Sequence, residues 1–252
     1  GLVGSLHIGL QVAKTLSLAY EKPLIGVHHI AGHIYANELV EDIEYPCLCL
    51  VVSGGHSELV YMKSEFSFEV IGQTLDDAIG EAYDKAGRVL HLPYPGGPVI
   101  DKMAASGQHT YDLPLPLNDD SYNFSFSGLK SAVINLCHNA AQRGEDIVPA
   151  DLACSFQEVA LDVLVSKTIK AAKDYQVKEI IVAGGVSANR GLRKKLTADS
   201  PIKVLFPPMA YCTDNAAMIA SAARVMYEHQ QFSSLDLSVK PSYDLEEESI
   251  GE

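Results

Sequence analysis

The chain has 252 residues, 47% of them apolar and 20% charged, which are globular proportions and exclude a disordered or fibrous protein. Thirty-two acidic residues against nineteen basic ones give a net charge of −13, which excludes coating a nucleic acid by bulk electrostatics. No run approaches the ~18 apolar residues of a membrane helix, and no secretory leader opens the sequence.

Residues 6–20 carry apolar side chains at helical spacing and predict a first helix, which Pro23 ends. Residues 24–27 read as a short buried strand, and a second helix is expected over 29–39. The polar stretch 41–46 is a candidate lobe boundary. The clearest β signal is 47–62, where two apolar runs flank Ser53-Gly54-Gly55-His56 as a hairpin. A third strand over 66–71 and the helices beyond it suggest a mixed sheet. A helix over 76–90 opens on Asp76 and Asp77, followed by the rigid loop Tyr94-Pro95-Gly96-Gly97-Pro98 and a helix over 99–105. Residues 109–123 read as loop, and 127–142 and 149–175 as helices. A buried strand over 179–183 runs into Gly184-Gly185 and a helix near Asn189. A short strand over 204–206 is stopped by Pro207-Pro208, and the last helix runs from near Asp214 to about His229. The final nine residues hold five acids and no base, leaving −8 on the rest, and are expected to fray.

The five cysteines show no paired CxxC spacing and read as free thiols, so a reducing, cytoplasmic compartment is expected. Gly1 opens directly on a glycine-rich turn with no initiator Met, so the parent protein is expected to carry a further N-terminal segment.

His29 and His33 are four residues apart, so on a helix their rings share one face and suit a single ion. The same spacing also fits two ordinary core or surface histidines. No glutamate follows His29, so the HExxH helix of zinc peptidases is absent. Asp214 suits a helix cap, or a carboxylate aimed across a cleft as a third ligand. Two imidazoles and one carboxylate leave coordination positions open, as catalytic iron and zinc sites require.

Val51-Val52-Ser53-Gly54-Gly55 ends a strand in two glycines. It fits a plain hairpin turn, or bare backbone amides brought close to a phosphate or carboxylate. Gly184-Gly185 before a helix resembles a nucleotide-binding turn but lacks the full GxGxxG pattern. Asn189 fits a helix cap or a bond to base or ribose. Asp84 reads as a solvated helix face or, with Gly96, Gly97 and Asp101, as part of a ribose or substrate-amine site. Ser127-Gly128-Leu129-Lys130 matches SxxK without its companion motifs and reads as a helix start. Arg190, Arg193, Lys194 and Lys195 form the densest basic cluster, a solvated face that is also the best candidate for RNA phosphate contact. No residue stands out as a general base, so the catalytic group stays unknown.

Together these segments resemble the TsaD family (also called Gcp or YgjD), bacterial tRNA N6-adenosine threonylcarbamoyltransferases. The stretches GLVGSLHIGLQVAK, GVHHIAGHIYAN, LVVSGGHSELV, LDDAIGEAYDKAGRVL, YPGGPVID, FSFSGLKSA, VAGGVSANRGLR and FPPMAYCTDNAAMIA follow family order and spacing. The resemblance implies an α/β fold of the actin/sugar-kinase/Hsp70-like ATPase type, with two lobes of mixed sheet about a cleft. The second lobe is expected at 47–208. An incomplete first lobe is expected at 1–46 plus 209–252, because the opening strand and phosphate-facing loop of the family have no counterpart here. The resemblance further implies that His29, His33 and Asp214 bind one Fe(2+) or Zn(2+) ion. It assigns Val51, Val52, Ser53, Gly54, Gly55, Asp84, Gly97, Asp101 and Asn189 to contacts with an adenylate-type nucleotide substrate, threonylcarbamoyl-adenylate. The implied reaction is metal-assisted acyl transfer from that adenylate to N6 of adenosine 37 in tRNAs reading ANN codons. The implied partners are the tRNA anticodon loop, a TsaB-like paralogue and a TsaE-like ATPase, with no membrane. A metal-dependent peptidase of the glycoprotease type is an alternative that the missing HExxH glutamate opposes. A non-catalytic paralogous scaffold is another, opposed by the two histidines.

Overall fold

Six consecutive apolar residues, Cys47–Val52, offer water no polar face, so the strand they form (β1) must be covered on both sides. Leu48, Leu50 and Val52 enter one core, while Cys47, Cys49 and Val51 enter another. The computed structural model describes residues 2–250. In it β1 is the central strand of a five-stranded sheet, ordered β3-β2-β1-β4-β5. Strands β2 (Ser57–Met62) and β3 (Glu69–Gln73) continue antiparallel on one side. On the other side β4 (Glu179–Ala183) and β5 (Lys203–Leu205) run parallel to β1.

One face carries α3 (Ile79–Val89), α4 (Gly96–Ala104), α5 (Ser127–Arg143), α6 (Pro149–Asp174) and α7 (Arg190–Asp199). The opposite face is covered by α2 (His29–Tyr35) and α8 (Ala216–Glu228), through Ile30, Ile34, Tyr35, Ala222 and Val225. Asn37, just past α2, is fully buried; its Nδ2 donates to Ile34 O at 3.0 Å and to Val182 O at 3.1 Å, which ties α2 to β4. Helix α1 (Val3–Tyr20) stands apart: it has no buried residue, and Ile8, Leu18 and Tyr20 are exposed. No helix among the described residues is long and apolar enough to cross a membrane. All five cysteines are free.

Several expected elements shift, each for a local reason. Residues 24–27 form no strand, because the only pairing is a single bridge between Leu24 and Ser233. Helix α3 begins at Ile79 rather than Asp76, since the Asp76 carboxylate is engaged by the Phe126 and Ser127 amides at 2.8 and 3.2 Å. Strand β3 starts at Glu69, after Phe66 has turned the backbone to φ 48°. The acidic end does not fray over its described part. Phe68 N donates to Ser249 Oγ at 3.0 Å, Val70 N to Glu246 Oε1 at 2.8 Å, and Ile250 N to Phe66 O at 2.9 Å. The amides beside this sheet edge lack a neighbouring strand, and the tail supplies their acceptors. The expected opening turn at Gly1 and the last two residues of the acidic end, Gly251 and Glu252, lie outside the described residues.

Because β1 and β4 are parallel neighbours, the turns beyond them emerge side by side at one edge of the sheet. Gly184 has φ +89°, and a Cβ there would lie 2.4 Å from Val52 O. Both the backbone conformation and the space demand glycine. Gly184→Ala is therefore expected to cost about 2–3 kcal/mol. Equilibrium urea unfolding checks this: the midpoint should fall at unchanged slope, and a variant as stable as its parent would show that the two turns do not press on each other.

Candidate metal centre and substrate cleft

The metal-type ligands are set by two helix starts. His28 caps α2: its Nδ1 accepts from Ile30 N at 3.1 Å, and its Nε2 lies 3.0 Å from Tyr243 O, so Nε2 carries the proton. The short helix then holds the rings of His29 and His33 edge to face, with centroids 4.7 Å apart. On α8 the cap is Asn215, whose Oδ1 accepts from Met218 N at 2.9 Å. Asp214 is thus free of capping, and its Oδ1 lies 3.2 Å from His33 Nε2 and 3.5 Å from His29 Nε2. Gly32 permits this approach of the two helices, since a Cβ there would lie 2.8 Å from Ile219 Cδ1.

The three ligand atoms lie within 4.8 Å of one another. Donors sharing one tetrahedral ion at ~2.1 Å stand about 3.4 Å apart, so the spacing fits a small divalent cation. Burial, and then the neighbouring His29, push the His33 pKa below its usual value, against an opposing pull from Asp214. That favours the neutral imidazole, the form that ligates metals. His33 Nδ1 is buried without a hydrogen-bond partner, so its ring is oriented by packing and by the Nε2 contact.

The ligands open onto a cleft of about 600 Å³, walled also by Ser53, Gly54, Gly55, His56, Gly185 and Thr213. Ser53 closes the β1–β2 turn: its Oγ accepts from His56 N at 3.0 Å, and its amide donates to His56 O at 2.8 Å. The start of α3 presses on this turn from behind. Ile79 N donates to Ser57 Oγ at 2.8 Å and Gly80 N to Ser53 O at 3.2 Å. The first amides of α3 are thus spent on bracing this turn. A second hollow of about 420 Å³ lies between α1 and the C-terminal segment and includes none of these residues.

The nine substrate-type residues divide. Ser53, Gly54 and Gly55 line the cleft with the metal ligands, while the side chains of Val51 and Val52 are fully buried and leave only backbone to face a ligand. Asp84, Gly97, Asp101 and Asn189 fall outside the cleft lining and form a second cluster, engaged within the protein. Asp84 accepts from Gly96 N at 2.7 Å. Asp101 accepts from Arg190 N and Gly191 N, each at 3.1 Å, and from Gln157 Nε2 at 3.2 Å. Asn189 caps α7 by accepting from Leu192 N at 2.8 Å, and its Nδ2 reaches Gln157 Oε1 at 3.0 Å and Tyr83 OH at 3.2 Å. Gly97, the second residue of α4, lies against Tyr83. Helix α3 joins the two clusters, with its first turn on Ser53 and its second carrying Tyr83 and Asp84.

Two other sequence features resolve differently. Half of the basic cluster is spent internally: Arg193 donates to Ser187 O at 2.7 Å and Pro207 O at 2.6 Å, and Lys195 pairs with Asp162 at 2.6 Å. Arg190 and Lys194 stay exposed. Ser127 is a helix start that donates to Asp76 Oδ2 at 2.7 Å. Sequence reasoning gave His56 no role, yet it borders the cleft; the signal was an imidazole in a turn otherwise built of small residues.

Two measurements test this centre. His33→Ala and Asp214→Ala should each weaken Zn(2+) binding at least about tenfold, read by metal content and competition titration. Equal metal in parent and variants would reject these ligands. Metal-free protein should also lose stability as pH falls below 6.5, because burial lowers the pKa of His28 and of His33 in the folded state. In that window the unfolded chain binds protons that the folded one resists, until the folded values are passed. Urea midpoints that stay flat from pH 7.5 to 5 would contradict it.

Residues 1–221 match the family model for TsaD, tRNA N6-adenosine threonylcarbamoyltransferase. A protein of that name from Bacillus subtilis is 59% identical over 250 residues, covering 97% of this chain and 72% of the relative. Another from Halalkalibacterium halodurans is 56% identical over 250 residues, covering 98% of this chain and 73% of the relative. Among solved structures, full-length HypF in a phosphate- and nucleotide-bound form superposes with a TM-score of 0.63 at 13% identity, over 86% of this chain and 38% of that one. T. kodakarensis HypF gives 0.60 at 14% identity, over 86% and 39%. At such identity the likeness concerns the fold alone, which is of the actin/sugar-kinase/Hsp70 type. Sequence relatives more than half identical, aligned over nearly the whole chain, settle the rest: the chain belongs to the TsaD family of tRNA N6-adenosine threonylcarbamoyltransferases.

Proposed function

We propose that this chain acts in the t6A modification of tRNA, transferring threonylcarbamoyl from threonylcarbamoyl-adenylate to N6 of adenosine 37 in tRNAs that read ANN codons. One observation carries the reading: His29, His33 and Asp214 share a single cleft with the glycine turns after β1 and β4. One Fe(2+) or Zn(2+) ion held by these three residues would supply Lewis acidity toward the donor's carbonyl or carboxylate oxygens. The chain's own groups do the positioning. Gly54, Gly55 and Gly185 leave backbone exposed to the donor, and the start of α3 braces the turn that carries the first two. Asp84, Asp101 and Asn189 act on this reading by fixing the starts of α4 and α7, with Gly97 leaving room for the donor beside Tyr83.

The acceptor adenine lies in a single-stranded loop, where a base edge can be presented to an enzyme. With a net charge of −13 and only Arg190 and Lys194 of the basic cluster left exposed, this surface supplies little phosphate affinity of its own. Partners of the TsaB-like and TsaE-like kinds, in the cytoplasm, are proposed to complete the tRNA-binding surface. The two-lobe division at 46/47 and 208/209 belongs to the same proposal. The peptidase alternative lacks support, since α2 has Ile30 where the zinc-peptidase helix has its glutamate.

The test is transfer of labelled threonylcarbamoyl from the adenylate to unmodified tRNA by the full-length protein with its partners. Transfer should fall at least about a hundredfold in Asp214→Ala. A folded, metal-loaded wild-type protein that transfers nothing would overturn the reading.

A further inference from the structure

The β1–β2 turn brings one titratable side chain to the cleft that the metal centre does not use. Apart from His29, His33 and Asp214, His56 is the only titratable residue lining the cleft among the described residues. Its backbone is pinned on both sides, with its amide on Ser53 Oγ and its carbonyl on the Ser53 amide. Its ring is half-buried, and Nδ1 lies 3.5 Å from Ser53 Oγ. Either atom can be the donor in this contact, and in the tautomer with the proton on Nδ1 the Nε2 lone pair faces outward as an acceptor. His29, His33 and Asp214 share the cleft with this ring, and His28 at the start of α2 and Glu58 on β2 are close enough to feel its charge.

We propose that His56 is the proton acceptor of the transfer step. This rests on the function proposed above and goes beyond it. The exocyclic amine of adenine is a weak nucleophile whose N–H becomes acidic only as its bond to the carbonyl carbon forms. The N6–C bond forms and the C–O bond to the adenylate phosphate breaks, its electron pair leaving with AMP. The N6 proton passes to His56 Nε2 and then to water. AMP is a stable anion and needs no proton to depart, so a single base suffices and no general acid is required. The turn that carries His56 also carries Gly54 and Gly55, which places the acceptor beside the donor-binding backbone.

His56→Asn is the informative variant, because its amide can keep a hydrogen bond to Ser53 Oγ but has nothing at the Nε2 position. Single-turnover transfer with the full-length protein and its partners should slow about a hundredfold, with metal content and donor KM unchanged. In His56→Gly, added imidazole should restore transfer, which reads the same role in a second background. A wild-type rate in His56→Asn would overturn the assignment, as would a raised donor KM at unchanged kcat, which marks a binding role. Absent rescue in folded, metal-loaded His56→Gly would also count against it. No transfer by the wild-type protein would overturn the proposed function, and this step with it.

Discussion

The contact between the ends of β1 and β4 is the constraint on which the site depends. Two parallel strands buried on both faces cannot be displaced without opening two cores at once. Their turns are therefore held at one spot, close enough that Gly184 admits no side chain against Val52 O. The segments beyond the strands inherit that rigidity: Ser53 to His56 after β1, Gly185 to Asn189 after β4. The cleft is precise because it is built on the least movable part of the sheet.

The metal-type ligands come from the other face, and their rigidity has a different source. Helix α2 has only seven residues, too few to be stable by itself. It is held by the His28 cap, by Asn37 reaching Val182 O, and by packing against α8 across Gly32. The sheet lies between this pair of helices and the α3–α7 layer. The glycine turns at its edge are where material from both faces meets, so the cleft appears there and not elsewhere.

The hairpin over 47–62 was legible from its two apolar runs about Ser53-Gly54-Gly55-His56, whereas the central place of its first strand depends on pairing with β4, far along the chain. The histidine pair was legible from spacing, and Asp214 only as one of two possibilities. Asn215 is also a good cap residue, and nothing in the sequence says which of two adjacent side chains takes the amide; the fold decides for Asn215 and frees Asp214. Asp84, Asp101 and Asn189 were legible as important but not as to how. Asp84 Oδ1 and the Asp101 carboxylate accept amides at the starts of α4 and α7, and Asn189 divides between capping α7 and reaching Gln157 and Tyr83; apart from that cap, these partners are distant in sequence. The acidic tail misled for the same reason. Its composition suits solvent, but its oxygens match unpaired amides that exist only once β3 has formed.

That tail has a consequence for how the molecule behaves among copies of itself. The outer strand of an open sheet presents backbone groups that another chain can pair with, and Val70 and Phe68 lie along that border here. Seating Glu246 and Ser249 on their amides occupies the edge and surrounds it with negative charge. The last acidic residues thus serve colloidal ends as well as architectural ones. A chain shortened before Asp244 would lose Leu245 from the core beneath α2 and α8 and would leave the border of the sheet open to strand addition.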